Sequence, residues 1–134
     1  MRYMLDTNIC IYLMRSRSKT LDAHFAQLHV GEACMSSITF AELRVGIEQS
    51  ANRATDEAAL GALLEDLVVA PFDSEAAVSY GVLRAAVPSR QRNAMDRLIA
   101  AHAVSLSATL VTNNEQDFSV YPGLRVEKWA APGK

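Results

Sequence analysis

Met1-Arg2-Tyr3-Met4-Leu5-Asp6-Thr7-Asn8-Ile9-Cys10-Ile11-Tyr12 is the stretch on which the fold turns. A short apolar run ends abruptly in a carboxylate and an apolar run with helical spacing then resumes, so Asp6 is placed where a buried strand becomes a helix. In an open α/β sheet that edge is where ligands bind. Asp6 also has an ordinary local role, since Asp, Thr and Asn all cap helix N-termini and a carboxylate there complements the helix dipole. What separates the two readings is whether other acids stand at equivalent points further along.

The spacing predicts a first helix over 7–14, then a second from Thr20, carrying Leu21, Phe25 and Leu28 on one face and stopped by Gly31. Glu32 to Ser36 follows as a short buried strand. Thr39-Phe40-Ala41-Glu42 matches a capping box, in which hydroxyl and carboxylate satisfy each other's backbone amides, so a third helix is expected from Thr39 to about Ser50. Leu60, Leu63, Leu64 and Leu67 form a helical stripe, and Leu67 to Phe72 an edge strand ended by Pro71. Ala76, Tyr80, Leu83 and Val87 mark a helix stopped by Pro88. After the basic connector to Asn93, a further helix has Asp96 near its start and Leu98, Ile99, His102, Ala103 and Leu106 on its apolar face. Thr109 to Thr112 is a strand, Asn113 to Asp117 a polar loop, and Arg125 to Trp129 a last strand. Strands alternating with helices imply a three-layer α/β/α domain around a central, mainly parallel sheet, spanning 1–134 as a single domain.

Composition fits this. The chain has 134 residues, half of them hydrophobic, with a net charge of −2. That size buries a core without staples, and so small a net charge is no magnet for nucleic acid, so any polyanion must be held locally. The basic residues cluster, with Arg15, Arg17 and Lys19 in one group and Arg84, Arg90, Arg92 and Arg97 in another. No apolar run reaches the roughly 20 residues of a membrane span, and the first residues enter a strand with no charged leader, so a cytoplasmic protein is expected. Cys10 and Cys34 lie in apolar segments without metal or redox spacing and read as reduced, buried side chains.

Acids recur at the punctuation points. Asp6 follows the first strand, Glu42 the second, Asp96 opens the helix leading into the Thr109 strand, and Asp117 follows that strand. In a parallel sheet the loops after the strands gather at one edge, so acids up to 111 residues apart can share a crevice. Two carboxylates 4 Å apart repel by on the order of 4 kcal/mol at an effective dielectric near 20, so such a cluster requires a cation or shared protons. All-oxygen ligands select a hard ion, Mg²⁺ or Mn²⁺, which suits phosphodiester hydrolysis by an activated water.

Six blocks stand in order along the chain: Met4-Leu5-Asp6-Thr7-Asn8, Ser36 to Leu43 with Gly46, Tyr80 to Ala85, Met95-Asp96-Arg97-Leu98-Ile99-Ala100-Ala101-His102, Thr109 to Asn114, and Pro122 to Trp129. With these blocks the chain resembles a PIN domain, and more closely the VapC toxins of bacterial toxin–antitoxin pairs. The resemblance implies a metal-dependent endoribonuclease that cleaves a cellular RNA, commonly a transfer RNA. It also implies a homodimer neutralised by a small VapB-type antitoxin, with operator DNA reached only through that antitoxin. By position, Asp6 and Asp96 match the family's principal metal-binding acids, Glu42 the third and Asp117 the later one. Many relatives have Asp where this chain has Asn114, which makes Asp117 the fourth acid and Glu115 its rival. Ser89 to Ala94 replaces a Gly-containing turn.

Thr7, Asn8 and Asn113 are candidates to steady the acids by hydrogen bonding. Arg90 and Arg92 are candidates for phosphate contact. His102 lies six residues past Asp96, about 240° around the helix, and is expected to pack in the core rather than act as a base. Trp129 is expected as a core or dimer anchor. Asn8 stands where a haloacid-dehalogenase-type phosphatase needs a second Asp, and the acidic pair and Lys of a response-regulator receiver are not evident. The competing function is a catalytically silent PIN-like module that only binds a partner.

Overall fold

β1 (Tyr3–Leu5) is the middle strand of a five-stranded sheet ordered β3-β2-β1-β4-β5, in which every pairing is parallel. Its partners are β2 (Ala33–Ser36) and β4 (Thr109–Val111); β3 (Val68–Ala70) and β5 (Arg125–Glu127) are the edges. The computed structural model describes residues 1–87 and 94–129.

The central strands are buried on both faces, and their side chains alternate between two cores as period-2 geometry requires. Leu5, Met35 and Val111 point into one core; Met4, Cys34 and Leu110 point into the other. Over the first face lie α1 (Thr7–Met14), α2 (Lys19–Ala26), α3 (Ser37–Glu48) and α4 (Arg53–Leu64), contributing Ile9, Leu21, Leu43, Ile47, Leu60 and Leu63. Over the second lie α5 (Ser74–Ala86), α6 (Ala94–Ser105) and the single turn α7 (Glu115–Phe118), contributing Leu83, Ile99, Ala100, Ala103 and Phe118. This is the expected three-layer α/β/α arrangement. No helix among the described residues is long and apolar enough to cross a membrane.

Three local expectations are corrected. Gly31, at φ 95°, does not stop α2, which ends at Ala26; it makes the turn that delivers the chain into β2. The third helix starts at Ser37 rather than Thr39, because Ser36 at the end of β2 already caps it by accepting from the Ile38 amide at 3.0 Å. Asp117 lies in α7 rather than in an irregular loop.

The topology fixes where a ligand can sit. The chain steps from β1 outward to β2 and β3, then returns past β1 to form β4 and β5. Neighbouring connections therefore diverge between β1 and β4, and that reversal leaves a crevice beyond their carboxyl ends.

Candidate metal centre

Register sets the first contact at that crevice. Leu5 pairs with Val111, so the next residues, Asp6 and Thr112, emerge side by side, tied by the Asp6 amide donating to the Val111 carbonyl at 3.1 Å. The Thr112 hydroxyl hydrogen-bonds the Asp6 carboxylate, and Asp6 Oδ1 also accepts from the Ile9 amide at 2.9 Å. Asp6 is therefore both the cap of α1 and a buried acid, only 6% exposed. Burial pushes its carboxyl above the usual range, Thr112 and Ile9 pull the other way, and the charge of Glu42 adds to the rise.

Starting α3 at Ser37 changes the meaning of Glu42. It falls in the second turn, where no backbone amide needs capping, and its Oε1 instead accepts from the Thr7 hydroxyl at 2.5 Å. Thr39 is fully buried and its hydroxyl lies 3.3 Å from that of Thr7. The capping-box explanation of Glu42 is thus overturned, and a hydrogen bond aims its carboxylate toward α1.

Asp96, in the first turn of α6, joins this group electrostatically. Burial first, then the charges of Asp6, Glu42 and Asp117, push its carboxyl up to about 6. Asp6, Thr7, Asn8, Glu42, Asp96, Asn114 and Phe118 line one crevice of about 210 Å³. Asp117 stands just outside that wall, exposed, its Oδ2 accepting from Asn114 Nδ2 at 2.7 Å. Glu115, its rival, is exposed and is not among the groups acting on Asp96.

Other candidates are distributed differently. Asn8 reaches the crevice, whereas Asn113 does not line it; its buried Oδ1 has no hydrogen-bond partner among the described residues. Arg90 and Arg92 lie outside the described residues, with most of the Ser89 to Ala94 connector. His102 is buried with Nδ1 2.8 Å from Ser36 Oγ and the Phe72 ring against it, and burial holds its pKa below the usual value; it does not line the crevice. Trp129 is 4% exposed, edge-on to Tyr3 and stacked on His24, which makes it a core residue. Cys10 and Cys34 are free and buried, and burial raises both thiols, so they stay protonated.

Thr112, Thr39 and Phe118 were not read as site residues from the sequence, and Asn114 only as the position where relatives carry an acid. Of the first three, Thr112 alone carried a usable signal, as the residue that leaves the strand beside Asp6.

Chemically, the crevice is an anionic pocket with oxygen donors only. Among the described residues no three acidic, His or Cys side chains are grouped as a ready-made cage. That arrangement still fits a Mg²⁺-like ion, which keeps several waters and takes one or two carboxylates directly.

The raised Asp96 predicts a pH-dependent stability. Its folded-state pKa exceeds the unfolded value, so the folded protein holds the proton more tightly. The resulting penalty is absent below about pH 4, grows as pH rises toward 6 and is complete above it. Asp96→Asn therefore raises the metal-free Tm at pH 7.5. Allowing for solvent screening of this partly exposed group, the gain is about 1 kcal/mol, roughly 3–6 °C, and it disappears at pH 4. Thermal melts across that range check it.

Known proteins resemble the chain over nearly its whole length. The PIN domain family matches residues 3–124. The "tRNA(fMet)-specific endonuclease VapC" of Salmonella typhimurium is 34% identical over 131 residues, covering 96% of this chain and 98% of that protein. "Ribonuclease VapC2" of Rickettsia felis is 35% identical over 135 residues, with 96% and 98% covered. Among solved structures, DNA-bound VapBC from Salmonella typhimurium superimposes with a TM-score of 0.87 at 33% identity, covering 97% of this chain and 99% of that one.

Proposed function

The chain belongs to the PIN-domain family and is a VapC-type endoribonuclease, the toxin half of a type II toxin–antitoxin pair; on that premise we propose that Asp6, Glu42, Asp96 and Asp117 together hold a divalent cation and hydrolyse a phosphodiester bond in transfer RNA. The observation that carries this is the electrostatic action on Asp96 of acids from three other segments, Asp6, Glu42 and Asp117. Such repulsion is relieved by a cation or by shared protons, and an open crevice lined by oxygen ligands suits the cation.

Bound there, Mg²⁺ or Mn²⁺ would supply a water acidic enough to attack and a positive charge against the phosphate. The protein's own part is to hold the ligands. Asp6, with Asp96, is the principal anchor, locked by the Ile9 amide and the Thr112 hydroxyl so that it cannot swing away. Thr7 fixes Glu42 by its short hydrogen bond to one carboxylate oxygen, leaving the other for the cation. Asn114 restrains Asp117 in the same way. Asn8 completes the crevice wall.

The partner is a VapB-type antitoxin, in line with the VapBC complexes among the structural relatives. A homodimer, contact with operator DNA only through the antitoxin, and a cytoplasmic site of action belong to the same reading.

Cleavage of transfer RNA by the protein freed of antitoxin tests it. EDTA is expected to abolish cleavage, and Mg²⁺ or Mn²⁺ to restore it. Cleavage indifferent to chelator rejects the mechanism; absence of cleavage under any metal supports the silent protein-binding module instead.

A further inference from the structure

An acid-lined crevice repels the polyanion it must cut, so basic groups have to stand beside it. Arg90 and Arg92 lie outside the described residues, but a second basic cluster is built into the packed pair α5 and α6. Arg84 Nη1 donates to the Tyr80 hydroxyl at 2.9 Å, with its guanidinium 5.7 Å from the Tyr80 ring centroid. Arg97, buried to 5% exposure, hydrogen-bonds the same hydroxyl. Arg84 is half-buried, makes no ion pair among the described residues, and its buried Nε has no hydrogen-bond partner there.

The chemistry of that arrangement is specific. A phenol oxygen that accepts from two guanidiniums has its lone pairs engaged, and its single proton remains available for donation. Two cations and one available O–H match an anionic oxygen, and Arg is the side chain best shaped for phosphate. The cluster and the acids share a neighbour. Arg97 follows Asp96 in the chain, and buried Tyr121 feels the charges of Arg97, Asp96 and Asp117 together.

We infer that Tyr80 and Arg84, positioned by Arg97, bind a backbone phosphate of the RNA next to the bond that is cut. This rests on the ribonuclease reading above. The opposing possibility is a purely internal clasp between α5 and α6, with Arg84 merely complementing the carboxyl end of α5.

The test is binding of fluorescein-labelled transfer RNA over a KCl series, in an Asp6→Asn background to prevent cleavage. Arg84→Gln is expected to weaken binding about 10-fold and to lower the slope of log K against log salt by about 0.7–0.9, one phosphate contact. Arg84→Lys keeps the charge and is expected to keep the slope. Tyr80→Phe is expected to weaken binding several-fold without changing the slope, and it carries the test if Arg84→Gln fails to fold. In the cleaving protein Arg84→Gln raises KM with kcat within about twofold. Unchanged affinity and slope in a folded Arg84→Gln, or unchanged affinity in Tyr80→Phe, overturns the inference alone. Failure of the otherwise unaltered protein both to bind and to cut RNA overturns the ribonuclease reading and this inference with it.

Discussion

Asp6→Asn is expected to lower RNA cleavage by on the order of 10³-fold or more while leaving the fold intact. The expectation follows from the cap that this side chain forms and the ligand role proposed for it. As a cap, Asn serves nearly as well as Asp, because its Oδ1 still accepts from the Ile9 amide, so α1 keeps its first turn. As a ligand Asn fails, because it lacks the charge that holds a cation worth several kcal/mol to the transition state. Asp6→Ala differs in adding about 1 kcal/mol of lost capping to the same catalytic defect. Initial rates on transfer RNA, with far-UV circular dichroism for folding, separate these contributions. A fully active Asp6→Asn protein would reduce Asp6 to a helix cap.

Phe118→Ala is expected to cost about 3–5 kcal/mol of stability, a large share of the roughly 5–15 kcal/mol available to such a domain. Phe118 is 1% exposed, lies against Tyr121 with ring centroids 6.2 Å apart, and roots a helix of only four residues. A helix that short has no stability of its own, so packing of this ring holds α7 on the sheet. The same ring lines the crevice, and Asn114 and Asp117 flank it. Phe118→Leu fills much of the cavity and is expected to fold, with activity impaired less than stability would suggest. Denaturant melts measure the cost; a loss below 1 kcal/mol for Phe118→Ala would show that α7 is held by something else.

The elements were legible where periodicity was long or alternation strict. Residues 3–14 announced both β1 and α1, and Asp6 and Asp96 stood out as acids at strand-to-helix and loop-to-helix boundaries. Local patterns misled where a nearer residue competed. Thr39 to Glu42 has the form of a capping box, but Ser36 takes the cap three residues earlier, and that shift frees Glu42 for Thr7. Gly31 carried a stop signal that belongs to the turn before β2. Four residues are too few to show a helical period, which hid α7. Phe118 reaches the site by packing, and the pairing of Thr112 with Asp6 depends on strand register, information that sequence spacing does not hold. Tyr80, Arg84 and Arg97 converge for the same reason, from two helices whose contact is tertiary.

Calorimetric titration of the antitoxin-free protein with Mn²⁺ tests most directly whether acids from separate segments form one cation site. The expected result is saturable binding at pH 7.5 that weakens at pH 5, where protons compete for Asp96, and a loss of at least about tenfold in affinity in Asp6→Asn and in Asp96→Asn alike. Mn²⁺ binding equally tight in all three proteins, or absent from all three, would contradict it.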